Sequence, residues 1–216
     1  MPAMEAGTMK ALFKFLDDFP QGKLRPDALS ALELLSGVEK MVHVSDYGFY
    51  IDKYEVTNAE YAAFFNEKGN QSEGGVTWLE DDSMIKKRGS QFTPKSGYGD
   101  HPMIEVSWYG AKAYCEWAGK RLPTEYEWEL VATFGGTTSG PWGDELKDCN
   151  GKSVAIKGCN LTLVTDGGYG PRKIKTSNDD VVSFGGQEIY DMGGNVSEWV
   201  EDIYDRFQSC KNEIKV

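Results

Sequence analysis

Between Tyr190 and Trp199 the chain reads Tyr-Asp-Met-Gly-Gly-Asn-Val-Ser-Glu-Trp. Two carboxylates, Asp191 and Glu198, bracket a Gly193-Gly194 pair that allows a sharp bend, and such a bend turns successive carbonyls inward. Asp191 and Glu198 can offer side-chain oxygens while Gly194 and Val196 offer backbone carbonyls. That oxygen-only donor set is of the kind calcium accepts. An ordinary tight turn, with Asp191 opening it and Glu198 near a helix end, has the same residues. Residue types alone leave both readings open.

Other candidates for chemistry are weaker. The four cysteines, Cys115, Cys149, Cys159 and Cys210, form no C-x-x-C pair, which argues against a zinc ribbon or a thioredoxin-like centre. Cys115 falls on a helical apolar stripe and reads as a core residue. Cys149 and Cys159 lie ten apart in loops and could form a disulfide in an oxidising setting. With only His43 and His101, a histidine-rich metal site is a poor candidate. Val154-Ala155-Ile156-Lys157 matches the lysine strand of protein kinases, but the glycine-rich phosphate loop and the catalytic Asp–Asn loop are absent, so the match is read as chance. Gly167-Gly168-Tyr169-Gly170 is not followed by a helical pattern and so lacks the amide cradle that holds a phosphate.

The elements that must position these residues follow from periodicity. Met9, Leu12, Phe13, Leu16 and Phe19 predict a helix over 9–19, and Leu29, Leu32 and Leu35 a second from Pro26 to Gly37. Phe49 to Val56 is rich in aromatic and β-branched residues and reads as a strand. Thr57-Asn58-Ala59-Glu60 and Thr124-Glu125-Tyr126-Glu127 are two capping boxes, each opening a helix, and Ser107 caps a third. In that third helix Trp108, Ala111, Cys115 and Ala118 predict the buried stripe, and in the helix after Thr124 Trp128 and Val131 face inward. Residues 70–100 read as an irregular excursion, and a last short helix is expected over 197–204. A strand, then helices, then a Gly-rich second half predicts an α+β fold rather than alternating βαβ units.

Composition sets the outer limits. The 216 residues suit one large domain, or a domain with an arm, and 40% hydrophobic residues are enough to build a core. The 34 acidic against 23 basic residues, a net charge of −11, would repel a phosphate backbone, so nucleic acid is not an expected partner. No apolar run approaches the ~18–20 residues of a spanning helix, so no membrane association is expected. No signal peptide is visible, which makes the cytoplasm the default location.

Five blocks together resemble the formylglycine-generating, sulfatase-modifying factor family. They are Phe49 to Tyr61, His101 to Trp108, Ala113 to Glu129, Pro141-Trp142-Gly143-Asp144 and the 190–199 segment, in the family's order over roughly 47–204. The resemblance implies a C-type-lectin-like fold with two or three helices around a small twisted antiparallel sheet and long ordered loops. It divides the chain into a helical arm, 1–45, and a family domain, 46–216. It also implies calcium, one ion through Asp191, Gly194, Val196 and Glu198. A second would use an Asn and an Asp for which Asn150 and Asp166 are the nearest matches, with Asn160 competing for the first place. Catalytic members bind copper(I) through a carboxy-terminal cysteine pair, a soft ion matched to thiolates. That block is not found before Val216, and Cys210 is a lone thiol in a polar tail. The expectation is therefore a non-catalytic, calcium-stabilised domain for recognition or scaffolding. The alternative is a copper-dependent oxidase whose final strands are absent or supplied by another chain. A sheet lacking closing strands invites a protein partner, a second copy, or residues 1–45 to complete its edge.

Overall fold

Two threonines organise the helices. Thr57 accepts the Glu60 N–H (3.3 Å) while Glu60 Oε2 accepts the Thr57 N–H (2.9 Å), so both orphan donors at the start of α1 (Asn58–Lys68) are satisfied. Gly69, with φ +74°, donates to Phe65 and ends the helix. Thr124 and Glu127 make the same reciprocal pair at α3 (Glu125–Ala132), where Arg121 also grips both Glu127 oxygens at 2.7 and 2.6 Å. Ser107 caps α2 (Trp108–Trp117) by accepting the Gly110 N–H at 3.2 Å. All three caps lie where the sequence places them.

The computed structural model describes residues 40–80, 83–143, 171–176 and 180–203, with a few positions between 11 and 24. Its described strands form four antiparallel hairpins, with no closed barrel among them. β1 (Met41–Val44) pairs with β2 (Phe49–Asp52), β3 (Ser72–Glu73) with β4 (Val76–Thr77), β5 (Ile85–Arg88) with β6 (Gln91–Pro94), and β7 (Val181–Phe184) with β8 (Gln187–Tyr190). This is the expected α+β arrangement of helices and small antiparallel sheets.

Several local expectations change. The strand expected over 49–56 stops at Asp52, because the Lys53 peptide turns to bond Lys40 on one side and Tyr190 on the other. Its partner β1 lies within the 1–45 segment. The 70–100 excursion contains two hairpins whose two-residue turns, Gly74-Gly75 and Gly89-Ser90, are the glycine signal for such a turn. Within the predicted 9–19 helix, residues 11, 12, 14, 15 and 18 are helical; the 26–37 helix lies outside the described residues. Residues 197–203 are not helical. There Glu201 N–H donates to Pro123 O, and two indoles hold the backbone extended: Trp108 donates to Val200 O and Trp199 to Val106 O, each at 2.8 Å.

Two apolar clusters result. Tyr61, Phe64 and Phe65 of α1 meet Trp78, Phe92 and Tyr114, with Tyr61 stacked on Tyr114 at 4.9 Å. Val42 and Val44 of β1 meet Leu130 and Val131 of α3 and Val182 and Ile189 of the last hairpin. On α2 the deepest positions are Gly110 and Tyr114, not the Trp108–Ala111–Cys115–Ala118 stripe, whose members are half-buried. The rotation has a steric cause. Trp78 backbone lies directly on Gly110, and any Cβ there would overlap the Trp78 carbonyl. On α3, Leu130, Val131 and Ala132 are buried while Trp128 is half-buried.

Gly110→Ala should therefore destabilise the domain by about 1–3 kcal/mol through overpacking. Urea unfolding followed by tryptophan fluorescence measures this, and a loss below about 0.5 kcal/mol would show that α2 can slide away from Trp78.

Candidate functional site

The 191–198 turn starts where β8 ends. Tyr190 N–H donates to Lys53 O, and Asp191 N–H donates to Asp180 O, both at 2.9 Å. The residues that adopt the left-handed conformation are Asp191 and Asn195, each with φ 62°. Gly193 and Gly194, expected to make the bend, do not have positive φ. Gly193 is needed for space instead, since a Cβ would collide with the Trp142 ring. Asp and Asn tolerate the left-handed region better than other side chains, so the turn keeps its shape without a glycine at either corner. Gly194 O accepts the Val196 N–H at 2.8 Å, which closes the turn.

Asn195 ties this turn to two other segments. Its Oδ1 accepts the Arg172 N–H (2.8 Å) and its Nδ2 donates to Arg172 O (3.1 Å), so the side-chain amide pairs with a peptide like one rung of a ladder. The same Nδ2 donates to Glu55 Oε2 at 2.9 Å. Glu55 is buried, and its other oxygen, Oε1, has no hydrogen-bond partner among the described residues.

Four carboxyl groups share this neighbourhood. Burial is the largest influence on each, and it favours the neutral acid. It pushes Asp180 up to about 7, against the two bonds from Gly193 N–H (3.1 and 2.9 Å) and the attraction of Arg172, with Asp191 repelling. Glu198 is an exposed residue whose carboxyl end is densely surrounded; that crowding, with repulsion from Asp180 and Asp191, holds it at about 7 although Trp128 Nε1 donates to Oε2. Glu55 is raised well above its ordinary value by burial, then by Glu198 and Asp191. Asp191 is raised by burial, with Arg172 and the Lys175 N–H opposing. The local field is short of positive charge.

Asp191 opens the bend that contains Gly194 and Val196, and Glu198 lies in the extended segment that follows it. Among the described residues no three Asp, Glu, His or Cys side chains converge into a metal cluster. An ion at this turn therefore has to draw on the Gly194 and Val196 carbonyls as well as the two carboxylates. Oxygen donors in an acid-rich setting, beside an unpartnered Glu55 oxygen, fit a hard cation such as calcium. Asn150 and Asp166 lie outside the described residues, as do Cys149, Cys159 and Cys210. Cys115 packs at the edge of the first cluster, and burial pushes its thiol up to about 12. Sequence reasoning missed Glu55, Asp180 and Asn195. Glu55 stands inside a recognised block, but only the fold brings it to Asn195, 140 positions later.

Two outcomes follow. Carboxyls raised in the folded state stabilise it fully below their unfolded values near 4 and lose that contribution as pH rises through about 7. With chelator present, the melting temperature should rise as pH is lowered from 8 to 5.5; a fall over that range would contradict the acid-rich arrangement. Asn195→Asp removes both Nδ2 bonds and adds a fifth carboxylate, so it should cost about 2–3 kcal/mol in urea unfolding. Asn195→Gly, which keeps the left-handed backbone, isolates the loss of the rung.

Residues 25–216 match a family described as sulfatase-modifying factor enzyme 1-like domain. Across 161 residues the chain is 31% identical to the serine/threonine-protein kinase pkn1 of Chlamydia pneumoniae, a match covering 73% of this chain and 23% of that protein. It is 31% identical over 222 residues to the formylglycine-generating enzyme of Thermomonospora curvata, covering 85% of this chain and 68% of that one. It is also 31% identical over 201 residues to the inactive C-alpha-formylglycine-generating enzyme 2 of Bos taurus, covering 78% and 63%. The chain thus spans less than a quarter of the chlamydial kinase and about two thirds of the other two relatives.

Proposed function

The chain belongs to the sulfatase-modifying factor enzyme 1-like family, and on that premise we propose that it is a calcium-stabilised domain for recognising or scaffolding a protein partner, non-catalytic on its own. The supporting observation is the 191–198 turn, where buried carboxyls gather with too little positive charge around them. Asp191 and Glu198 side chains would hold the ion together with the Gly194 and Val196 carbonyls. When bound, calcium supplies the positive charge that lets these acids stay ionised. The second ion implied by the resemblance, through Asn150 and Asp166, belongs to the same proposal, and the stoichiometry of calcium titration distinguishes one ion from two.

The non-catalytic part of the reading is supported by the thiols. A copper(I) centre of the family's kind needs two thiolates, and the one described cysteine, Cys115, is a half-buried thiol that its surroundings push up to about 12, which does not fit such a pair. The inactive bovine relative shows that the family includes members named as inactive. The contrary reading, an oxidase whose remaining strands come from another chain, is favoured by relatives named formylglycine-generating enzyme.

Calcium binding only the folded form should raise the melting temperature, by an amount equivalent to about 2.7 kcal/mol at a hundredfold excess over Kd. Asp191→Asn and Glu198→Gln should each lose most of that shift. No shift in the wild type would remove the calcium reading. Incubation with copper(I), oxygen and a cysteine-containing sulfatase peptide should leave the cysteine unconverted; aldehyde detected by mass spectrometry would instead establish the oxidase.

A further inference from the structure

The β5–β6 hairpin has one edge engaged and one edge open. On the engaged side β6 is tied to α1, because Phe92 N–H donates to Asn66 Oδ1 (2.7 Å) and Phe92 O accepts from Asn66 Nδ2 (2.8 Å). Both Phe92 peptide groups thus point away from β5, so Phe92 and Lys87 face each other as a non-hydrogen-bonded pair of the antiparallel ladder. Lys87 N–H and C=O must then point outward from the opposite edge of the hairpin. Two residues earlier, the Ile85 peptide groups on that edge are engaged by the Ser83 hydroxyl at 3.4 Å. The Lys87 groups have no partner among the described residues.

The side chains along this open edge are cationic. Alternation puts Lys86 and Arg88 on one face of the hairpin, beside Thr93 and Gln91, while Ile85 and Phe92 turn to the core on the other. Lys86, Lys87 and Arg88 are all exposed, and no carboxylate among the described residues pairs with any of them. Lys87 lies over the Phe92 ring instead, at 5.3 Å. Such an edge rejects a copy of itself, since two β5 strands side by side would set cation against cation. An acidic strand meets no such penalty. Its residues i and i+2 repeat at about 7 Å, which is also the spacing of Lys86 and Arg88 along β5.

We propose that the outer edge of β5 adds an antiparallel strand from a partner protein in which acidic residues alternate. The partner's backbone bonds Lys87 N–H and C=O, and its carboxylates on either side meet Lys86 and Arg88. A polypeptide suits this edge better than a phosphate chain. The Lys87 peptide asks for a donor as well as an acceptor, and the net charge of −11 opposes a long polyanion. The inference deepens the recognition reading and rests on it for the class of partner, but it involves neither the ion turn nor a thiol.

Fluorescence anisotropy with labelled octapeptides tests it. Three peptides alternate Val with Glu, Gln or Lys, and a fourth gathers the same Glu and Val residues into two blocks. The alternating Glu peptide should bind at least threefold more tightly than the Gln and block peptides, as two exposed ion pairs allow, and the Lys peptide should bind most weakly. In the double variant Lys86→Gln, Arg88→Gln the preference for Glu over Gln should vanish, while the calcium-induced melting shift stays as in the wild type. N-methylation of the valines, which face Lys87, should abolish binding of the Glu peptide, whereas N-methylation of its glutamates should not. Equal affinity for the Glu and Gln peptides, no binding by any, a block peptide as good as the alternating one, or valine N-methylation without effect would each overturn the proposal. So would tighter binding of an oligothymidylate, which would assign the edge to a phosphate partner. Glu-peptide binding by a wild type that also forms aldehyde, or that shows no calcium shift, would uphold the edge and remove only the non-catalytic or the calcium reading.

Discussion

The fold depends on an asparagine amide that bonds a peptide in both directions. Asn195 does this to Arg172, Asn66 does it to Phe92 (2.7 and 2.8 Å), and Asn70 does it to Leu79 (3.0 and 3.1 Å). Each pair satisfies a backbone N–H and C=O that no described strand reaches. Asn58, fully buried, extends the device by donating to the carbonyls of Tyr98, His101 and Pro102. A domain whose described sheets are all two-stranded has few ladders in which to pair its backbone. Side-chain amides take over that work and hold long loops to helices.

That solution explains how so much acid can be buried at one place. The 191–198 turn is fixed from outside itself: by Asn195 on Arg172 and Glu55, by Asp180 on Gly193, and by Trp142 pressed over Gly193. The carboxyls therefore cannot relax away from one another by letting the turn open. Burial first, and repulsion among Glu55, Asp180, Asp191 and Glu198 second, appear instead as raised proton affinity. A rigid scaffold surrounding a repulsive interior favours a bound counter-charge.

What the sequence made legible was local. Thr57, Ser107 and Thr124 announce their helices because a cap and its partner lie three residues apart. The hairpins at 72–77 and 85–94 read as an irregular excursion despite their glycine turns, because their short strands are mostly exposed and no apolar alternation marks them. Asp191, Gly194, Val196 and Glu198 could be proposed as one site because they are close in the chain. Glu55, Asp180 and Asn195 were not, because a buried polar cluster assembled from distant segments leaves no periodic trace. The α2 stripe was misjudged for a related reason: Gly110 carries no hydrophobic signal, and its burial is imposed by Trp78.

The indole bonds from Trp108 to Val200 O and from Trp199 to Val106 O join positions more than ninety residues apart, and the Glu55–Asn195 contact spans 140. Contacts of such span must close large loops before they return any stabilisation, which slows folding. During synthesis the first aromatic cluster, built from residues 61 to 114, can form early, whereas the turn must wait until residues 190–203 have emerged. The first aromatic cluster can therefore mature ahead of the candidate site, which has to join Glu55 to Asn195.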